Sequence, residues 1–142
     1  MKSSFVAILL LSLTNCELLG GAEALPVQLD TDAASYRPGQ EVMLTLTNTS
    51  RRAYTVSPTL CPAVLEQRDQ SIWRPMQREE VCLAIGYELR SGNRLTVPRP
   101  LPDSLAAGDY RFMYELQDAD GEDRYRRFER IEVYTKSFRV EP

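Results

Sequence analysis

The sequence predicts an all-β sandwich of about seven to nine antiparallel strands. Two stretches carry most of that expectation. In the first, a Pro38-Gly39 turn is followed by a strand in which Val42, Leu44 and Leu46 face one way and Met43, Thr45 and Thr47 the other, ending at Asn48-Thr49-Ser50. In the second, Tyr110, Phe112, Tyr114 and Leu116 share one face after the corner Leu105-Ala106-Ala107-Gly108-Asp109. Alternation with a period of two marks a strand half buried on a sheet. Between and beyond these stretches lie shorter alternating runs bounded by Gly, Pro, Asn and Asp.

In chain order, Met1-Lys2-Ser3-Ser4 and the apolar run 5–13 read as the basic and hydrophobic regions of an export signal. The run is about half the length a membrane-spanning helix needs. Two processing sites compete. Leu13-Thr14-Asn15-Cys16 resembles a bacterial lipobox, which would make residues 1–15 the signal peptide and Cys16 the lipidated first residue, although Asn15 departs from the usual small residue. Ala22-Glu23-Ala24 instead resembles an ordinary signal-peptidase site, which would release a chain starting near Leu25 into the periplasm or medium. On the lipid reading, residues 16–24 are the lipidated end and its tether, and eight residues from Glu17 reach at most about 28 Å.

The domain itself is expected over residues 25–142. Residues 25–30 form a first strand through Val27 and Leu29, and Tyr54 and Val56 mark a short strand after a turn at Arg51-Arg52. Pro58 and Pro62 bracket Cys61 in an irregular corner. Residues 63–68 and 72–76 read as a hairpin, with Pro75 placing the second strand at an edge and Trp73 expected over a disulfide. Within residues 79–89, which carry Cys82, Leu83-Ala84-Ile85 suits a strand or one helical turn. Ser91-Gly92 is a turn before a strand at 94–97, Pro98, Pro100 and Pro102 make an extended connection, and residues 130–134 and 137–140 complete the sheet.

Composition excludes several chemistries. With 142 residues, 43% hydrophobic content and a formal charge of −3, the chain is an ordinary globular one, with no bias toward nucleic acid. It contains no His, so Ser-His-Asp and Cys-His catalysis are excluded. Neither a cofactor nor a metal site is expected. In an oxidising compartment Cys61 and Cys82 can pair and leave Cys16 for lipid; two free thiols are the alternative.

Three clusters compete for a functional role. Arg124, Arg126, Arg127 and Arg130, around Tyr125 and Phe128, suit either a nucleic-acid or anionic-lipid surface or a solvated edge strand kept from aggregating by its charges. Asp118, Asp120, Glu122 and Asp123 resemble part of a calcium loop, without its full spacing, and Asp-Gly is also a common hairpin turn. Glu79 and Glu80 are adjacent, so on a strand they face opposite ways and make a poor acid–base pair.

Taken together, Tyr36-Arg37-Pro38-Gly39 with its strand, the cysteine pair, Leu105 to Arg111 and Ser137-Phe138-Arg139-Val140 resemble the bacterial Ig-like domains of small exported lipoproteins. Ser91-Gly92 stands where that family usually has Pro-Gly. The resemblance implies an immunoglobulin-like sandwich in the cell envelope, with Gly39, Trp73, Gly108 and Tyr110 as structural residues, Tyr110 forming a tyrosine corner. It implies no enzyme activity. The expectation is a monomeric binding or structural module, tied to the membrane by lipid, with an envelope protein as partner and no nucleic acid. Some such domains resemble proteinase inhibitors, and the alternative function is inhibition through the proline-bracketed loop 57–63.

Overall fold

The computed structural model describes residues 26–76, 80–118 and 130–142, with backbone alone at 117 and 118. They form eleven strands and no helix. One sheet has the order β1 (Val27–Thr31), β3 (Glu41–Asn48), β8 (Arg94–Pro100), all antiparallel. The second runs β2 (Ser35–Tyr36), β11 (Phe138–Val140), β9 (Gly108–Asp118), β4 (Tyr54–Val56), β7 (Tyr87–Leu89). To it are added β10 (Arg130–Tyr134), and the hairpin of β5 (Val64–Asp69) and β6 (Ile72–Pro75). Inward residues of both sheets, among them Leu44, Leu46, Tyr110 and Phe138, share one buried core.

The strand count exceeds the expected seven to nine because β9 is longer than its neighbours. Tyr110 faces Gln67 of β5 on one side and Phe138 of β11 on the other. Further along, β10 replaces β11 opposite residues 113–117, and β4 replaces β5 opposite Gln117 and Asp118. Each side of one long strand is thus covered by two short ones. Between β10 and β11, Thr135 is buried; its N–H donates to the Phe112 carbonyl and its Oγ1 accepts the Phe112 N–H at 3.0 Å. The hydroxyl takes the place of a ladder partner for the buried Phe112 N–H. One pairing, β2 with β11, is parallel rather than antiparallel.

The core face of β9 is as the alternation predicts, with Tyr110, Phe112, Tyr114 and Leu116 all buried. Tyr110 Oη donates to the Ala106 carbonyl at 2.8 Å, tying the preceding corner to the sheet. Phe138 packs edge-on against Tyr36 and stacks with Phe112 and Tyr110. Pro98 and Pro100 do not belong to a free connection; they lie in β8, opposite Met43 and Glu41. This is possible because β8 is an edge strand, where a missing N–H can face away from the neighbour.

Asn48 ends β3 from inside the protein. Fully buried, it donates through Nδ2 to the carbonyls of Arg52 and Leu89 and accepts at Oδ1 from the N–H and hydroxyl of Ser50. All the bonding capacity of the amide is used, so its burial carries no unpaired polar atom.

The two singled-out glycines differ. Gly39 has φ of 77° and sits in a turn closed by the Gln40 N–H on the Arg37 carbonyl, while an added Cβ would fall 2.2 Å from Asp103 Oδ1. Gly108 lies outside the left-handed region, and a Cβ there would meet Gln67 and Tyr110 at 3.6 Å, ordinary contact. Gly39→Ala is therefore expected to lower stability by about 1 to 2 kcal/mol, and Gly108→Ala to change it by less than about 0.5 kcal/mol, as read by urea unfolding. Similar losses at both positions would contradict this account.

Asp32 yields a pH prediction. Burial opposes its charge, but the Tyr36 hydroxyl at 2.7 Å and the Met43 N–H at 2.8 Å outweigh that and hold the carboxyl below its ordinary value of 3.8. A pKa lowered by folding gives stability that is present above 3.8 and lost as the pH falls through the folded value. Asp32→Asn is expected to flatten this acid limb of a melting-temperature profile; an unchanged limb would refute the assignment.

Candidate functional site

Cys61 and Cys82 are bonded, with Cα atoms 5.5 Å apart. Before Cys61 the chain makes a tight turn in which the Leu60 N–H donates to the Ser57 carbonyl at 2.9 Å, with Leu60 at φ 50° and fully buried. The peptide Cys61-Pro62 is cis. Across the bridge, the Glu80 carboxylate meets Arg99 of β8 through two bonds, Nη1–Oε1 at 2.5 Å and Nη2–Oε2 at 3.0 Å. Arg99 Nη2 also donates to the Leu60 carbonyl at 3.3 Å. One guanidinium therefore grips both sides of the staple, in the fork geometry that suits arginine.

This corner does not make an inhibitor loop of residues 57–63. A loop offered to a protease has to be extended and exposed, whereas Leu60 and Cys61 are in the protein's interior. The exposed segment is the other one. From Leu89, buried in β7, the residues two apart are Tyr87, Ile85, Leu83 and Val81, with exposures of 42, 58, 66 and 95%. A row of core-type residues thus leaves the sandwich and runs into solvent, pinned next to its far end by the disulfide. Residues 80–86 form no strand, and among the described residues β7 pairs only with β4. At Gly86 an added Cβ would fall 2.8 Å from Thr55 Cγ2, so the backbone passes close to β4 there.

A cleft of about 540 Å3 adjoins the staple, lined in part by Pro62, Leu65, Met76, Leu101 and Phe112, with Arg99 and Glu80 also in its wall. The Glu80 carboxylate and the two sulfurs lie within 4.8 Å of one another. They do not form a metal centre as they stand, since Arg99 occupies the carboxylate and a metal needs thiolates rather than a disulfide.

Trp73 lies elsewhere than over the staple. The register places it opposite Arg68, toward the end of the hairpin away from Cys61, and its ring faces Arg111. The Arg111 guanidinium lies 4.5 Å from the Trp73 ring centre and 4.1 Å from that of Tyr134, while its Nε meets Glu66 Oε2 at 2.6 Å. Glu132 accepts the Tyr134 hydroxyl, and that hydrogen bond, with burial, pushes the phenol above its ordinary range. The arginine is already engaged by two rings and a carboxylate, which makes the cluster a brace for the outer sheet face. Its sequence signal was the opposite charge of Glu66 and Arg111, legible only once the register pairs them.

Cys16, Arg124, Arg126, Arg127, Glu79 and the acidic residues Asp120, Glu122 and Asp123 lie outside the described residues, as does the side chain of Asp118. Among the described residues no helix is long and apolar enough to cross a membrane. No family model matches the chain, and no characterised relative matches it in sequence. Among solved structures, the archaellum periplasmic stator protein FlaG from Sulfolobus acidocaldarius overlaps 79% of this chain and 99% of its own, at 15% identity and a TM-score of 0.41. A likeness this shallow carries no inference.

The staple closes a loop of the size that chain entropy values at about 3 kcal/mol. A C61A/C82A variant is expected to lose stability of that order and to be cut first within residues 80–87 in limited proteolysis. Equal stability, or first cleavage elsewhere, would show that the bridge does not hold this segment.

Proposed function

We propose that the chain is a non-enzymatic, immunoglobulin-like module of the cell envelope, anchored by lipid on Cys16, that holds another envelope component through the apolar row Val81, Leu83, Ile85 and Tyr87. The single observation that carries the binding role is that row. Leaving apolar side chains in water is unfavourable by about 25 cal/mol for each Å2, and contiguous exposed apolar surface on a folded domain marks an interaction site. The staple and the Arg99 fork support the same reading, because a segment fixed before binding loses less entropy when it docks. An extended partner segment beside β7 would be recognised by main-chain hydrogen bonds, with the row supplying the side-chain contacts.

Anchoring rests on the leading sequence, the lipobox-like Leu13 to Cys16 and the cysteine left over once Cys61 and Cys82 pair. The absence of His and the full occupancy of Glu80, Glu66 and Arg111 support a role in binding over one in catalysis.

Two measurements test the two halves. The intact mass of the protein taken from membranes should show an acylated Cys16 and a gain of about 2 Da on reduction; an unmodified chain starting near Leu25 would overturn the anchor. A photo-crosslinking residue at Leu83 or Ile85 in living cells should give one discrete adduct that the same residue at Arg139 does not give. Identical patterns from both positions would overturn the site.

A further inference from the structure

We infer that the stapled corner is a redox-gated zinc site: once the bridge is reduced, Cys61, Cys82 and Glu80 hold a zinc ion in place of the disulfide. The inference stands on the corner alone and depends on neither the proposed anchor nor the proposed partner. The three groups come from two segments, Cys61 from the turn after β4, Glu80 and Cys82 from the chain before β7. Their ligand atoms already lie within 4.8 Å of one another. Two thiolates on one tetrahedral zinc, at bonds of about 2.3 Å, stand about 3.8 Å apart. Breaking the S–S bond moves the sulfurs out to van der Waals contact, which is close to that spacing.

Arg99 holds the corner without help from the bridge. Its guanidinium binds the Glu80 carboxylate through two bonds and the Leu60 carbonyl through a third, and these residues lie two positions from Cys82 and next to Cys61. The turn before Cys61 is closed by the Leu60 N–H on the Ser57 carbonyl. Reduction removes none of these bonds, so less ordering is left for the ion to impose. In the bridged state Arg99 takes up the carboxylate. With two thiolates available, one carboxylate oxygen turns to the ion while the other stays on the guanidinium, and a ligand oriented by such an outer partner is usual at metal centres.

Charge and softness select the ion. Two thiolates and a carboxylate carry three negative charges, which Arg99 and a divalent ion balance. Thiolate donors favour zinc over magnesium or calcium. Cys61 is buried and Cys82 half-buried, while Glu80 is exposed, so an ion enters from the Glu80 side and keeps a fourth position for water.

The opening step is exchange with a dithiol. One thiolate attacks Cys82 Sγ, the more accessible sulfur, and displaces Cys61 as thiolate; the second thiol resolves the mixed disulfide and frees Cys82. One S–S bond breaks, another forms in the dithiol, and two electrons pass to the bridge. Zinc binding then releases the two thiol protons. The ion thus keeps residues 80–86 in place while the covalent staple is open.

The test uses the full chain carrying Cys16→Ser, so that no third thiol competes, reduced with dithiothreitol and freed of it under nitrogen. Titration with Zn2+ should show one equivalent bound by the reduced chain and none by the oxidised one. Co2+ in its place should give the near-ultraviolet thiolate charge-transfer band, and Zn2+ should restore protection of residues 80–87 from protease. Cys61→Ser or Cys82→Ser should abolish binding. Glu80→Gln and Arg99→Gln, which keep both thiols, should each weaken it about tenfold, with melting temperatures confirming that they fold. No zinc bound after reduction, unchanged affinity in Glu80→Gln, or equal affinity in urea, where the dithiol is flexible, would overturn the site.

Discussion

The structure depends on β9 being satisfied on three sides at once. Its alternate residues Tyr110, Phe112, Tyr114 and Leu116 fill the core, so its backbone is closed to water and needs partners along both edges. No neighbour is long enough to supply them alone. The chain answers with β5 and β4 on one edge and β11 and β10 on the other, and each change of partner needs a local device. Thr135 serves at one change, giving and receiving a bond with Phe112. At the other, the chain between β4 and β5 turns through Leu60 and the staple, and the Tyr114 hydroxyl accepts the Ser57 N–H at 2.9 Å.

This demand ties the core to the surface. The corner that lets the chain pass from β4 to β5 is the one the disulfide holds, and the disulfide in turn fixes residues 80–86 outside the sheet. Arg99 links that arrangement to the other sheet through β8. The exposed apolar row is therefore a consequence of how β9 is covered, and its positioning is shared with a core constraint. At the opposite end of β8, Asn48 has the corresponding role: by bonding Arg52, Ser50 and Leu89 it ties the turn after β3 to β7.

Much of the fold was legible because alternation and turn chemistry are local. The strand after Pro38-Gly39, the short strand at Tyr54–Val56, the hairpin of β5 and β6 and the core face of β9 follow from residues a few positions apart. The Tyr110 corner followed from its place after Gly108 and is present as a bond to Ala106. The site was less legible. Val81, Leu83, Ile85 and Tyr87 carry the same period of two as a core strand, and sequence holds no mark that distinguishes a row with a sheet above it from one without. Trp73 could not be placed for a related reason, since its neighbour Arg111 is 38 positions away and is brought to it by register alone. Pro98 and Pro100 read as a loop because proline lacks a donor, which matters only where a strand has neighbours on both sides.

By itself, then, the sequence determined what depends on a residue and its near neighbours: an all-β chain, the positive-φ turn at Gly39, the inward faces of β3 and β9, two cysteines able to bond, and no histidine for catalysis. The tertiary structure alone decided what depends on which distant segments meet. It divided β9 among four partners and paired β2 in parallel with β11. It buried Leu60 while leaving Val81 in water. Alternation tells a side chain which face of a strand it is on, but only the packing of the other sheet decides whether that face is covered.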